Sequence, residues 1–146
     1  MFCFCSFRLS GQIQVYNEQP LSFGSFIVKD AGGTVHVSYS AERTATGDII
    51  LINQSENFSP LVYGIEAPIG TLIHIQNGPD MKMYGDNGGE LTVSLGASDK
   101  GTSFVSTVAP PDRNLVYIEA TISVNSRNIT PPGNYAGSVS VTFIQE

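Results

Sequence analysis

Tryptophan is absent from this chain, charged residues make up only 14%, and the two cysteines, Cys3 and Cys5, both fall within the first five positions. Each shortage excludes something. Without stretches rich in Glu, Lys and Ala there is little from which soluble helices are built. Seven Lys and Arg against thirteen Asp and Glu, all dispersed, give a net charge of −6 and no basic stripe, so no nucleic-acid partner is expected. No apolar run approaches the roughly 18 residues that a membrane-spanning helix requires, and the chain is not expected to span a membrane. A transmembrane barrel is disfavoured as well, because eight prolines and the lack of aromatic girdles fit a lipid-facing wall badly.

The chemistry of active sites is equally scarce. Cys3 and Cys5 are two positions apart, so in a strand they point the same way, with Cα atoms near the upper limit for a bridge. As a Cys-x-Cys half-site they lack further ligands, since His36 and His74 sit singly inside alternating strand patterns. Ser25 and Ser138 each follow a glycine, but neither lies in a Gly-x-Ser-x-Gly elbow. Asp86-Asn87-Gly88-Gly89-Glu90 lacks the acidic spacing of a calcium loop and reads as an ordinary turn. These residues assemble no catalytic, cofactor-binding or metal-binding set, and the protein is expected not to be an enzyme.

What the chain does have is turns and alternation. Pro131-Pro132-Gly133-Asn134 is a turn, and after it Tyr135, Gly137, Val139, Val141 and Phe143 share one face while small polar residues take the other. Strands also read at Leu21 to Val28, with Gly24 marking a bulge or a close backbone approach, at Thr34 to Tyr39, Leu61 to Glu66, Thr71 to Gln76 and Glu90 to Leu95, and the continuous apolar run Ile49 to Ile52 reads as a strand covered on both sides, or partly so. Val116 to Val124 reads as the longest strand. Asp30-Ala31-Gly32-Gly33 reads as a turn, and Ser40 to Gly47, Asn53 to Pro60 and Ala97 to Arg113 as polar connections. The expectation is a single all-β domain, an immunoglobulin-like antiparallel sandwich of about eight to ten short strands over residues 12–146. Tyr135, just after a turn at a strand start, is placed to hydrogen-bond backbone at a sandwich corner.

Residues 1–11 admit two readings. Met1 to Phe7 can be the tail of a secretory leader processed near Ser10-Gly11-Gln12. Alternatively, the odd positions Cys3, Cys5, Phe7, Leu9, Gly11, Ile13 and Val15 make one face of an amphipathic strand that lies along a neighbouring subunit.

Leu21-x-Phe23-Gly24-x-Phe26, Gly33-x-Val35-x-Val37, Arg43 to Gly47, Leu91-x-Val93 and Pro132-Gly133-x-Tyr135-x-Gly137-x-Val139-x-Val141-x-Phe143, in that order, resemble an uncharacterised family of bacterial secreted domains. That family is similar to spore-coat-protein-U domains and, more distantly, to fimbrial subunits assembled by chaperone and usher. The resemblance implies a pilin-like sandwich exported to the cell surface or beyond, non-enzymatic, serving in a pilus, coat or adhesive layer. Its structural motif here is Leu21, Phe23, Gly24, Phe26, Gly133, Tyr135 and Gly137. The partners it implies are other copies or related surface subunits joined by strand pairing. The body of this chain lacks the cysteine pair that many fimbrial subunits carry.

The rival expectation is a surface binding module that holds glycan or protein in its two long connections, Asn53 to Pro60 and Ala97 to Arg113. Tyr63, Tyr84, Tyr117 and Tyr135 are candidates to line a sugar site in that case, although strand tyrosines with an inward ring and a wet hydroxyl are commoner.

Overall fold

The computed structural model describes residues 13–52 and 58–146. Expectations that rest on residues 1–12 or 53–57, including both cysteines, both readings of the N-terminus and most of the Asn53 to Pro60 connection, lie outside the described residues. The chain is all-β. In order, its strands are β1 (Gln14–Gln19), β2 (Ser22–Phe23), β3 (Phe26–Val37), β4 (Arg43–Leu51), β5 (Phe58–Ser59), β6 (Leu61–Glu66) and β7 (Leu72–Asn77). They continue with β8 (Met81–Gly85), β9 (Glu90–Ser98), β10 (Ser103–Val105), β11 (Asn114–Val124), a 3-10 turn at Arg127–Ile129, β12 (Tyr135–Ala136) and β13 (Val141–Gln145).

The organising strand is β11, whose burial alternates along its whole length because Val116, Ile118, Ala120, Ile122 and Val124 all face inward at 5% exposure or less. One edge of β11 pairs with β6 along Asn114 to Ile118 and then with β3 along Ala120 to Val124, while the other edge pairs with β9. Around it the large antiparallel sheet extends through β6 to β1, through β3 to β4, and through β9 and β8 to β12. A three-stranded sheet, β10-β7-β13, and the small ribbon β2-β5 form the opposing layer. The result is a sandwich of curled sheets.

The core has two lobes. One gathers Leu61, Ile65, Ile73, Val116 and Ile118 under the three-stranded sheet, with Tyr63 meeting Phe143 edge-on at 5.3 Å. The other gathers Phe23, Val35, Val37, Leu91, Val93 and Ile122, with Phe26, Met83, Tyr135 and Val139 packed against it. Asn114, Ser106 and the carbonyls of Ala67, Val108 and Ile65 form a buried polar knot in which every side-chain donor and acceptor has a partner. That satisfaction is what permits an amide and a hydroxyl inside the first lobe.

Several local expectations are corrected. The described residues hold thirteen strands, because two-residue ribbons leave no periodicity to read. Asp30 to Gly33 is a bulge inside β3, which runs on for 12 residues and so exceeds β11, of 11; the register with β4 slips between Val28 and Gly33. Over that slip β3 advances five positions and β4 two, and Gly32, at φ 72°, helps to accommodate the three extra residues. Ser40 to Gly47 is mostly strand, since a tight turn at 38–42 returns the chain into β4 at Arg43. Ile49 to Ile52 is covered on one side, with Ile50 46% exposed. The Ala97 to Arg113 connection contains the end of β9 and all of β10. The closing stretch from Tyr135 is two strands, β12 on the large sheet and β13 on the small one, so it crosses from layer to layer.

Candidate functional site

The crossing of that last segment leaves a groove. In the small layer β13 is an edge strand. An apolar cavity of about 790 Å³ lies beside the segment that leads into it, floored by β8, β9 and β11 through Met83, Leu91, Val93 and Ile122. One wall is built from residues 20–28 and the other from residues 131–139.

All seven residues of the sequence motif line this groove: Leu21, Phe23, Gly24, Phe26, Gly133, Tyr135 and Gly137. They reach it from opposite ends of the chain. Leu21 belongs to both lobes of the core, and Phe23, 6% exposed, packs into the second. Gly24 holds φ 74°, and a Cβ there would stand 2.5 Å from Nη1 of Arg43. That arginine stands in the sequence pattern without any partner being evident from it. Its Nη1 donates to the carbonyls of Phe23 (2.9 Å) and Ser25 (3.2 Å), its Nη2 to that of Ile52 (2.9 Å), and its guanidinium carbon lies 4.8 Å from the Phe58 ring centroid. One planar fork thereby ties the groove wall to β4 and β5.

The opposite wall is held by Tyr135, whose hydroxyl donates to the Pro131 carbonyl at 2.6 Å. Asp86 accepts from the backbone N–H of Asn134 at 3.0 Å, and the Asn87 side chain donates to the Pro132 carbonyl at 2.7 Å. Asp86 to Gly89 is therefore a turn that braces the wall. Gly137 is required by a close approach, because a Cβ would stand 2.5 Å from the Lys82 carbonyl oxygen.

Partial desolvation, followed by the nearby Asp86 charge, raises the Tyr135 pKa above the ordinary 10.0, and burial does the same for Tyr63. The fold thus favours each neutral phenol: this contribution to stability is present below pH 10 and is lost as pH rises through the raised values. Tyr135→Phe is expected to cost about 0.5–1.5 kcal/mol at neutral pH, because the Pro131 carbonyl loses its donor. It is also expected to flatten, without abolishing, the alkaline fall in stability, since Tyr63 remains. Urea unfolding at pH 7 and at pH 10.5 checks both, and an unchanged alkaline slope contradicts the assignment.

Of the four candidate tyrosines, Tyr63 and Tyr135 both line the groove, whereas Tyr84 is 61% exposed on β8 and Tyr117 lies on the outer face of β11, so the four form no common platform. His36 pairs with Thr121 through Nδ1 at 2.8 Å and lies 3.6 Å from Glu119 through Nε2, while His74 meets Glu146 at 3.1 Å. Ser25 and Ser138 both line the groove, with no histidine among its lining residues. Among the described residues, no three His, Cys, Asp or Glu side chains gather as a metal site, and no helix is long and apolar enough to cross a membrane.

The sequence model of a family described as a domain of unknown function, DUF4402, matches residues 13–144. This chain is a DUF4402 domain. The match spans both groove walls and the floor between them. No curated protein and no solved structure matches the chain.

Proposed function

We propose that this DUF4402 domain is a non-enzymatic structural subunit of an extracellular or cell-surface layer, fimbria-like or coat-like, whose groove receives an extended strand from a neighbouring subunit. The observation that carries this reading is the groove, an apolar trough one wall of which, residues 131–139, leads directly into the edge strand β13. Ser140 and Glu146 both exchange backbone bonds with the β7 side, through Gly78 N–H to Ser140 O and Glu146 N–H to Leu72 O, each within 2.9 Å. In an antiparallel ladder the bonded positions alternate, so Val141 and Phe143 aim their N–H and C=O groups away from β7, along the free edge of the small sheet. Their side chains meanwhile pack inward.

An inserted strand supplies both missing things at once, backbone partners at the edge and alternate apolar side chains on the floor. A lipid-like ligand satisfies only the second. The chain's own Cys3 to Val15 series has the required alternation. The test is amide hydrogen exchange on the full chain, with and without a peptide copying residues 3–15. Slowed exchange at Val141 and Phe143, and no protection from the same peptide N-methylated at alternate amides, is the expected result. Equal effects of the two peptides, or none from either, rule the reading out.

A further inference from the structure

The groove carries one charge. Among the described residues that line it, Arg127 is the one with a charged side chain, and it stands in the 3-10 turn at the end formed with residues 130–134. No carboxylate among the described residues pairs with Arg127. Asp86, which braces the neighbouring turn, already accepts from the backbone and the side chain of Asn134. Every other arginine with a described guanidinium has work to do: Arg43 holds three carbonyls, and Arg113 holds Glu18 and Glu66 with Tyr16 beneath it. A cation at the rim of an otherwise uncharged apolar trough, in a chain of net charge −6, is a recognition element for an anion that arrives with the occupant.

We propose that the strand this groove is built to receive carries a carboxylate that meets Arg127, and that it comes from a different subunit rather than from residues 1–12 of a second copy of this chain. The inference rests on the strand-accepting reading above and adds the identity of the partner. Residues 1–12 contain no Asp or Glu, and their one charged side chain is Arg8. Alternation places Arg8 on the face that points out of the groove, the same side as an exposed rim residue. A self-donated strand thus satisfies the floor and brings a like charge to the rim, whereas an acid-bearing strand satisfies both. Discrimination of this kind, by a repulsive as well as an attractive element, directs subunits to assemble in order instead of with themselves.

The experiment is a competition binding series on the full chain. The probes are the residue 3–15 peptide with serine at Cys3 and Cys5, and analogues with Ser6, Arg8, Ser10 or Gln12 changed to Glu, each beside a matched neutral peptide (Gln at the first three, the native Gln at the last). General electrostatics works against the Glu peptides, because the protein is acidic, so a gain at one position is specific. The expected result is that one Glu peptide binds about two- to fivefold more tightly than its Gln counterpart, as a rim ion pair allows. That gain is lost in Arg127→Gln, in which each Glu peptide and its Gln counterpart bind alike, and it shrinks at high salt. If every Glu and Gln pair binds equally, the carboxylate inference falls and the strand reading stands. If no peptide binds, both fall. Displacement by decanoate in a protein that ignores all peptides would make the groove an amphiphile site and overturn both.

Discussion

Arg43→Met is expected to lower the stability of the domain by about 2–3 kcal/mol, or roughly 6–10 °C in thermal midpoint for a chain of this size. The argument runs through three carbonyls. Phe23 O and Ile52 O are part-buried and Ser25 O is exposed, so the first two lose a charge-assisted partner that water replaces poorly, and the third costs little. Contact of the guanidinium with Phe58 adds a smaller increment. Methionine keeps the apolar stem and removes the fork, so the loss is specific to the hydrogen bonds. Lysine is expected to rescue little, because a point charge on a flexible stem does not span three divergent oxygens. The loss is also expected to be local. Amides of residues 22–25 exchange much faster in the variant, while those of β11 keep most of their protection, because the ribbon β2-β5 has few bonds apart from this clamp. A cost under 1 kcal/mol, or uniform acceleration across the domain, contradicts the clamp.

The same residue shows where the sequence is legible. Strands such as β9 and β11 are readable because one face is drier than the other, and the alternation of burial in β11 reproduces the alternation of Val, Ile and Ala in its sequence. Turns built on Pro-Gly or Asn-Gly-Gly announce themselves through backbone requirements that few other residues meet. The bulge at Gly32 and Gly33 imitates a turn in composition, and only the pairing of β3 with β4 on both sides of it distinguishes the two. Arg43 is legible as part of a family pattern and opaque as physics, since its partners lie 9 to 20 residues away in chain order. Arg127 carried no signal at all. Its meaning depends on a groove assembled from residues 20–28 and 131–139, and on the absence of any acid beside it among the described residues, neither of which periodicity records.

The motif residues are a middle case. Leu21, Phe23, Phe26 and Tyr135 read as ordinary core positions, and indeed each packs against the second lobe. What alternation does not reveal is that they come together as the lining of one groove. A sheet face looks the same in sequence whether its neighbouring strand comes from the same chain or from elsewhere, because the inward side chains are apolar in both cases.

Occupation of the groove carries the largest expected effect. A strand that lays three apolar side chains on the floor buries groups worth about 1.5–3 kcal/mol each, before the entropy of association and of ordering the peptide is subtracted. With micromolar affinity, and peptide at one hundred times its dissociation constant, linkage raises unfolding stability by about 2.7 kcal/mol, or roughly 8 °C in the thermal midpoint. Differential scanning calorimetry of the full chain with increasing peptide reads this directly, and the midpoint climbs with the logarithm of peptide concentration. Gly137→Ala supplies the control. Its added methyl meets the Lys82 carbonyl and lies 3.1 Å from the Met83 Cα, so residues 137–139 move off β8 and one wall shifts. The variant is expected to remain folded, because Gly137 is exposed and outside both core lobes, and to lose at least tenfold in peptide affinity together with most of the thermal gain. A midpoint that rises equally in parent and variant places the peptide somewhere other than the groove.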